Sequence, residues 1–593
     1  MKQLLLVAVC ILAMAKAWAM PAIPNPNGTY IPQPDGTSLA VTLQGDAFYH
    51  YYTTVDGYTI VKNGDRYEYA RRAGDGRLFP SGVLAHNADA RTPQERQFVG
   101  TLQARLIDKP AANAAIDTKR NAAPQRAEQY DYKNFRGLIV LIEYTDTKFE
   151  MDDPHDFYDH MVNDKDYKGF TDKNGNWVPC TGSVRDYYYD QSGGLFDPVF
   201  DIVGPVKVDY ASTDHNANKN TPKIFKSALD KIDPEVDFSV YDGDNDKFID
   251  FVFFIGAGPA ACYMGNDSTL LWPHAYVLTL ATLLHSYDGL YGYKYACCTE
   301  IYGWTDKPES LETQGIGVMC HEFSHVLGLR DHYDANYDTD GLSHHPGYWD
   351  VMAAAPSLNV ARTPAAFSLY ERWALGWVNP PVITEHGKYT LRPIDGTGEG
   401  YIIRTPVENE YFTLENRQRT KWDEYLPGHG MLITRIDSTS EVPWTLNQVN
   451  ARAGHNYLEL VRAWNDTPDK DLDSDPFPGT KNVTFITNDT QPNLRSWDGV
   501  DCEWNIHNIA ENGEMISFFI TDDGLLPSDY GEPGGNGDVN GDGSTDIDDV
   551  NIIIDIILGL RDAGDYGGRT WLIGDEKVDI DDLNELINII LAK

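Results

Sequence analysis

The stretch Gly317-Val318-Met319-Cys320-His321-Glu322-Phe323-Ser324-His325-Val326-Leu327-Gly328-Leu329-Arg330-Asp331 decides how the rest of this 593-residue chain is read. On an α-helix, residues four apart share one face, so His321 and His325 present two imidazole nitrogens to one point with Glu322 beside them. Gly328 marks where that helix ends, because glycine takes a positive φ without steric penalty, and the bend lets Asp331 supply a third ligand. Three protein ligands leave a fourth position for water, the arrangement of a catalytic rather than a structural zinc. In such a site Zn²⁺ polarises a scissile carbonyl and acidifies its water, and Glu322 takes the proton and passes it to the leaving amine, so peptide hydrolysis is the expected chemistry. A chain of this composition yields the full pattern by chance about 0.001 times, so an ordinary amphipathic helix is a poor account of it. His332 is a second candidate for the third ligand if the turn is one residue longer.

Some twenty residues downstream lies Tyr348-Trp349-Asp350-Val351-Met352, followed by a helical pattern from Arg362 to Trp373. A methionine in a turn beneath the zinc is the mark of the metzincins, and Met352 stands at the place for it. Upstream, the apolar run Leu138-Ile139-Val140-Leu141-Ile142 reads as a buried strand that opens a domain of mixed strand and helix signals ending near Pro380.

Around this unit the chain divides by composition. Lys2, the apolar run Gln3 to Met14 and Ala17-Trp18-Ala19 read as an export signal over residues 1–19. Residues 20 to about 105 alternate polar and apolar positions around Asp56-Gly57 and Asn63-Gly64, so a β-rich unit is expected. The Ala-, Asn- and Gln-rich stretch from about 106 to 129, with Lys119, Arg120 and Arg126, reads as a cleavable linker, and 20–126 as propeptide plus linker. Short alternating runs at Tyr401 to Arg404, Tyr411 to Glu415, Met431 to Ile436, Tyr457 to Val461, Val483 to Ile486 and Met515 to Ile520 suggest a β-sandwich over 381–521. Residues 522–536 are a Gly/Pro-rich tether, leaving 537–593 as a last small unit. The expected fold class is therefore multidomain α+β: a metzincin-like peptidase domain over 127–380, a β-rich unit before it, a β-sandwich and a small helical calcium-loop module after it.

Two loops point to calcium. Asp242-x-Asp244-x-Asp246-x-Phe248-x-Asp250 places four carboxylates and the Phe248 carbonyl where they can wrap a hard cation, and without one those carboxylates repel. Near the C-terminus, Asp538, Asn540, Asp542, Ser544, Asp546 and Asp549 occupy the ligand positions of a twelve-residue calcium loop with Gly543 at its sharp turn. Helical apolar stripes follow this loop at Val550, Ile553, Ile554 and Ile557, and follow a second acidic loop at Leu583, Leu586, Ile587 and Ile590.

The strings GLIVLIEYTD (Gly137 to Asp146), SVRDYYYDQSGGLFD (Ser183 to Asp197), YDGDNDKFIDFVFF (Tyr241 to Phe254), LWPH (Leu271 to His274), GIGVMCHEFSHVLGLRDHYD (Gly315 to Asp334), YWDVM and RTPAAFSLYERWALGWV (Arg362 to Val378) together resemble the immune inhibitor A family of secreted bacterial metallopeptidases. The likeness covers most of residues 40 to 521. It implies a propeptide, a metzincin-like catalytic domain and a β-rich domain, with His321, His325 and Asp331 as zinc ligands and Glu322 as general base. Asp331 stands where most metzincins have a third His, as in that family. Three alanines follow Met352, so the Met-x-Tyr arrangement of some metzincins is missing and the oxyanion stabiliser is open. The C-terminal duplication resembles a type I dockerin, which implies a cohesin-type partner, although positions 1 and 3 of the second copy are Trp571 and Ile573.

Composition bounds the rest. Forty-eight Lys+Arg against 89 Asp+Glu give a net charge of -41, which argues against nucleic-acid and membrane-surface partners. No apolar stretch after the signal reaches the ~20 residues of a membrane span. Outside the signal, Cys180, Cys262, Cys297, Cys298, Cys320 and Cys502 allow up to three disulfides, with Cys320 to Cys297 or Cys298 as one option and buried thiols as the other. With no Cys between the signal and Tyr130, a thiolate on the zinc cannot provide latency, which leaves a carboxylate, His86 or steric cover. The expected protein is an exported zinc endopeptidase made as a zymogen and acting on extracellular proteins. The rival readings are a non-catalytic calcium-stabilised scaffold and a hydrolase of non-protein amides.

Overall fold

The computed structural model describes residues 18–19, 21–22, 29–46, 48–114, 135–216, 218–243, 245–263, 269–278, 285–292, 294–303, 311–335, 345–452, 454–464, 471–521, 537–540, 544–561, 566, 570 and 578–591. Most of the export signal, the greater part of the 106–129 linker, Asp244, Asp542, the 522–536 tether and Trp571 and Ile573 lie outside them.

The central element is a seven-stranded mixed sheet. Its strands run in the order Trp18–Ala19, His274–Val277, Lys294–Tyr302, Val252–Pro259, Arg136–Glu143 and Val199–Lys207, with Glu312–Thr313 pairing Lys294–Tyr302. Four strands are parallel, and His274–Val277 runs antiparallel at the side where Trp18–Ala19 joins. Leu138 to Ile142, read as a buried strand, form the middle of Arg136–Glu143 and have no exposed surface. A continuous apolar run of this kind is what a strand covered on both faces requires. The helix Gly317–Leu327 packs on Lys294–Tyr302, and every one of its residues is buried.

The N-terminal unit is a six-stranded antiparallel meander from Thr29–Pro32 to Leu78–Leu84, followed by the helix Pro93–Val99. Its hairpins turn at Gly57 and Gly64, as the sequence suggested. It packs beside the edge of the central sheet: the His50 ring stacks on Trp272 at 4.8 Å, and Phe48 meets Tyr276.

Downstream, a four-stranded antiparallel sheet (Tyr401–Arg404, Glu410–Arg417, Gly430–Asp437, Leu458–Val461) and a three-stranded one (Gly387–Leu391, Met515–Thr521, Asn505–Asn512) share one core that includes Phe412, Ile433, Ile506 and Phe518. Val483 to Ile486 is not a strand; only Ile486 bridges to Ile506. Gly387–Leu391 and Asn505–Asn512 are strands that the sequence pattern missed.

This region is joined to the peptidase region by buried charge. Arg417 is fully buried; its guanidinium donates to both Asp423 oxygens, at 2.7 and 2.6 Å, to Glu415, and to the carbonyls of Trp349 and Ala366. The six cysteines among the described residues are free thiols, so no disulfide ties Cys320 to Cys297 or Cys298. At the C-terminus the helices Ile547–Ile557 and Ile580–Leu591 pack around Val539, Ile553 and Leu586.

Arg417→Leu strands the Asp423 and Glu415 carboxylates without their cation and is expected to lower unfolding free energy by about 3–5 kcal/mol. Denaturant unfolding reads this; a loss below about 1 kcal/mol would show that water reaches the joint.

Candidate metal centre

The helix Gly317–Leu327 has two faces with different duties. Phe323 points into the core, where the rings of Phe135, Tyr188, Phe196, Phe200 and Phe251 surround it with centroids 4.6 to 6.2 Å away. Behind it the Tyr188 hydroxyl donates to the Cys320 carbonyl at 2.7 Å. The N-terminal end is pressed against the segment after Met352: a Cβ on Gly317 would lie 2.0 Å from the Pro356 carbonyl oxygen, so no larger residue fits. Gly328 caps the other end at φ 114°, and its N–H donates to Ser324 and His325 carbonyls. The helix is thus fixed in rotation, and its opposite face carries the histidines.

His321 Nδ1 lies 2.7 Å from the Val351 carbonyl, and His325 Nδ1 lies 3.1 Å from that of Leu329. Each Nδ1 therefore bears the proton, and each Nε2 keeps its lone pair. Those two Nε2 atoms stand 3.2 Å apart; Asp331 Oδ1 is 3.2 Å from His325 Nε2 and 3.6 Å from His321 Nε2. Ligands placed about 2.0–2.1 Å from a tetrahedral zinc are separated by about 3.3 Å, so the spacing fits that ion. Three electron-pair donors aimed at one point repel one another unless a cation lies between them. Glu322 belongs to the same buried cluster, with a carboxylate oxygen within 4.8 Å of the ligand nitrogens. Burial, and then the neighbouring His325, hold His321 down at about 4 against the pull of Asp331, so its imidazole is neutral around pH 7.

Met352 follows Val351, whose carbonyl meets His321 Nδ1. Its carbonyl accepts from His332 N–H at 2.9 Å, and its own N–H donates to Asp350 Oδ1 at 2.6 Å. His332 turns away from the convergence point: its Nδ1 contacts Asp350 Oδ2 at 2.8 Å. Glu371 completes a second buried group with them. Burial and the Asp350 charge push Glu371 well above the carboxylate range, so it keeps its proton and shares it with Asp350. Through the Asp350 carboxylate, which meets both His332 Nδ1 and Met352 N–H, this second group staples the Met352 turn to the turn that carries Asp331.

No pattern in the sequence singled out Asp350, Glu371 or Tyr188 as supports, nor Asn447, whose amide meets Asp331 from 116 residues away. His86, one of the latency candidates, has both ring nitrogens on carboxylates of its own unit, Asp35 at 2.8 Å and Glu95 at 2.9 Å. In the 242–250 loop, Asp242 accepts from the N–H groups of Asp246 and Lys247, Asp246 from Phe248, and Asp250 from Gly243. In the C-terminal loop, the buried Asp549 accepts from Asn540 N–H at 3.0 Å and from Asp546 N–H at 2.9 Å. Asp582 repeats the second of these bonds, to Asp579 N–H at 3.1 Å.

Residues 131–373 match the model of the immune inhibitor A peptidase M6 catalytic domain. Immune inhibitor A of Bacillus thuringiensis subsp. alesti is 26% identical over 323 residues, which cover 47% of this chain and 45% of that protein. Pre-pro-metalloprotease PrtV of Vibrio cholerae serotype O1 is 24% identical over 276 residues, 40% of this chain and 28% of that protein. The chain therefore spans less than half the length of these curated relatives. These matches support the immune inhibitor A peptidase family for the segment holding His321, Glu322, His325, Asp331 and Met352. Among the described residues, no helix is long and apolar enough to cross a membrane.

Phe323→Ala removes the ring that five others enclose and is expected to cost about 3–5 kcal/mol. His321→Ala or His325→Ala should reduce bound zinc from about one equivalent to below about a tenth, by elemental analysis of the dialysed protein.

Proposed function

We propose that this chain is an exported zinc-dependent endopeptidase that cuts extracellular proteins and is made as a zymogen. The observation that carries this reading is the convergence of His321 Nε2, His325 Nε2 and Asp331 Oδ1 at 3.2 to 3.6 Å, with Glu322 in the same buried group. His321, His325 and Asp331 would hold the zinc, which would supply Lewis-acid chemistry for a scissile carbonyl and for a water. Glu322, beside the two imidazoles, would take up a proton and return it to the leaving amine. Val351 and Leu329, through their carbonyls, keep both imidazoles in the ligating tautomer. Met352 forms the turn beneath the site.

In this reading the N-terminal unit provides latency by steric cover. Support comes from the packing of this unit beside the central sheet, through His50 on Trp272 and Phe48 against Tyr276, and from the complete burial of His321, Glu322, His325 and Asp331 in the full chain. Calcium at Asp242, Asp244, Asp246, Phe248 and Asp250 stabilises the peptidase domain, and a second ion at Asp538, Asn540, Asp542, Ser544, Asp546 and Asp549 organises a dockerin-like module for a cohesin-type partner. The repeated Asp549 and Asp582 bonds favour a duplicated module.

The test compares wild type with Glu322→Gln on casein, after a cut in the 106–129 linker. Wild type should cleave and stop with a chelator. The variant should keep about one zinc and lose at least about 10³-fold in rate, since it lacks the base and not the ligands. Equal rates would remove Glu322 from the chemistry, and zinc without cleavage in either protein would favour a binding protein. Activity should rise at least about tenfold on linker cleavage; no rise would exclude latency by the N-terminal unit. Calcium at about 100 times its Kd should add about 2.7 kcal/mol per site to stability, and Asp250→Asn should remove one such increment.

A further inference from the structure

We propose that Asn447, in the region downstream of the peptidase segment, is a positioning residue for the metal: its side-chain amide fixes the Asp331 carboxylate so that Oδ1 faces the two histidines. The inference rests on the zinc reading above and extends it beyond the residues matched as the catalytic domain.

The contact is reciprocal. Asn447 Nδ2 donates to Asp331 Oδ2 at 2.5 Å, and Asp331 N–H donates to Asn447 Oδ1 at 2.8 Å. One amide thus holds both the carboxylate and the backbone of the same residue, which fixes the side-chain torsions and the placement of the turn together. With Oδ2 engaged, Oδ1 is the oxygen left at 3.2 Å from His325 Nε2. Both partners are buried, Asp331 completely and Asn447 nearly so, which keeps water from competing for the bonds.

The neighbours show that the contact is part of a longer grip. Arg330 Nε donates to the Trp444 carbonyl at 2.8 Å, and Asn450 Nδ2 donates to the His332 carbonyl at 2.6 Å. Residues 444, 447 and 450 therefore hold residues 330, 331 and 332 in order. Asn450 is itself tied to the sheet, through Nδ2 to the Leu458 carbonyl and through Oδ1 from Leu458 N–H. Position and rigidity pass from the strand Leu458–Val461 to the ligand turn without a flexible step.

Asparagine suits this place for two physical reasons. Residue 447 follows the helix Glu441–Thr445 at φ 52°, a left-handed conformation that asparagine tolerates better than most residues. Its amide is also neutral: it orients a carboxylate without cancelling the charge that attracts the metal, as an Arg or Lys would, and without repelling it, as an Asp would.

Zinc affinity of the full chain is measured by competition with a chromogenic chelator, below the melting temperature of each protein, for wild type, Asp331→Ala, Asn447→Asp and Asn447→Gly. Asp at 447 keeps the shape and the acceptor for Asp331 N–H but loses the donor; Gly keeps the left-handed backbone and loses both bonds. Loss of fold in one therefore leaves the other to decide. Both variants should bind zinc about 10- to 100-fold more weakly than wild type, with Asp331→Ala at least as weak. Affinity within twofold of wild type in a folded Asn447 variant, while Asp331→Ala loses the metal, overturns the positioning role even if the melting temperature falls. If wild type holds no zinc, or Asp331→Ala holds it as tightly as wild type, the zinc reading fails first and the role of Asn447 goes with it.

Discussion

A helix that carries two histidines and a glutamate cannot be buried unless each polar group on it is answered, and the rest of this structure depends on that constraint. Desolvating such groups unpaired costs several kcal/mol, so the surroundings of Gly317–Leu327 are selected by need. Carbonyls of Val351 and Leu329 meet the Nδ1 protons, Tyr188 meets the backbone at Cys320, and the Nε2 lone pairs are left with Asp331 at a common point. Phe323, enclosed by five rings, sets the rotation that makes these meetings possible. The geometry of the candidate metal centre is thus a product of core packing on the far side of the same helix.

Much of this was legible in the chain because it is local. Helical spacing places His321 with His325, Gly328 ends the helix in the left-handed conformation, and Leu138 to Ile142 announce a strand with both faces covered. The turn at Met352 was legible as a position and not as a set of bonds. What escaped was long-range: Asp350, Glu371, Asn447 and Asn450 carry no local pattern, and their partners lie as far as 118 residues away. The same limit explains the strands. Asn505–Asn512 is too polar to declare itself, yet it forms because Met515–Thr521 pairs with it, whereas Val483 to Ile486 has β-like composition and secures only one bridge.

The boundaries drawn from composition also need a physical reading. Residues near 380 separate two patterns of sequence, but they do not separate two independent bodies. Arg417 reaches the Trp349 and Ala366 carbonyls, and the Ala366 and Leu369 N–H groups in turn donate to Asp423 and Glu415. Groups 131–373 and 401–461 therefore share buried charge as well as apolar contact, and the segment that matches the family model is chemically incomplete without the sheet region downstream of it.

The buried joint around Arg417 has a consequence for resistance to proteolysis. Regions that open separately expose extended backbone for moments long enough to be cut. The seam resists parting by small steps, because the first step takes the Trp349 and Ala366 carbonyls from the buried Arg417 guanidinium and the Ala366 and Leu369 N–H groups from Asp423 and Glu415, leaving buried polar groups without their bonds. Opening is thereby pushed toward rare whole-molecule events, and the seam between the two regions gains a lifetime set by the entire fold rather than by its own modest area.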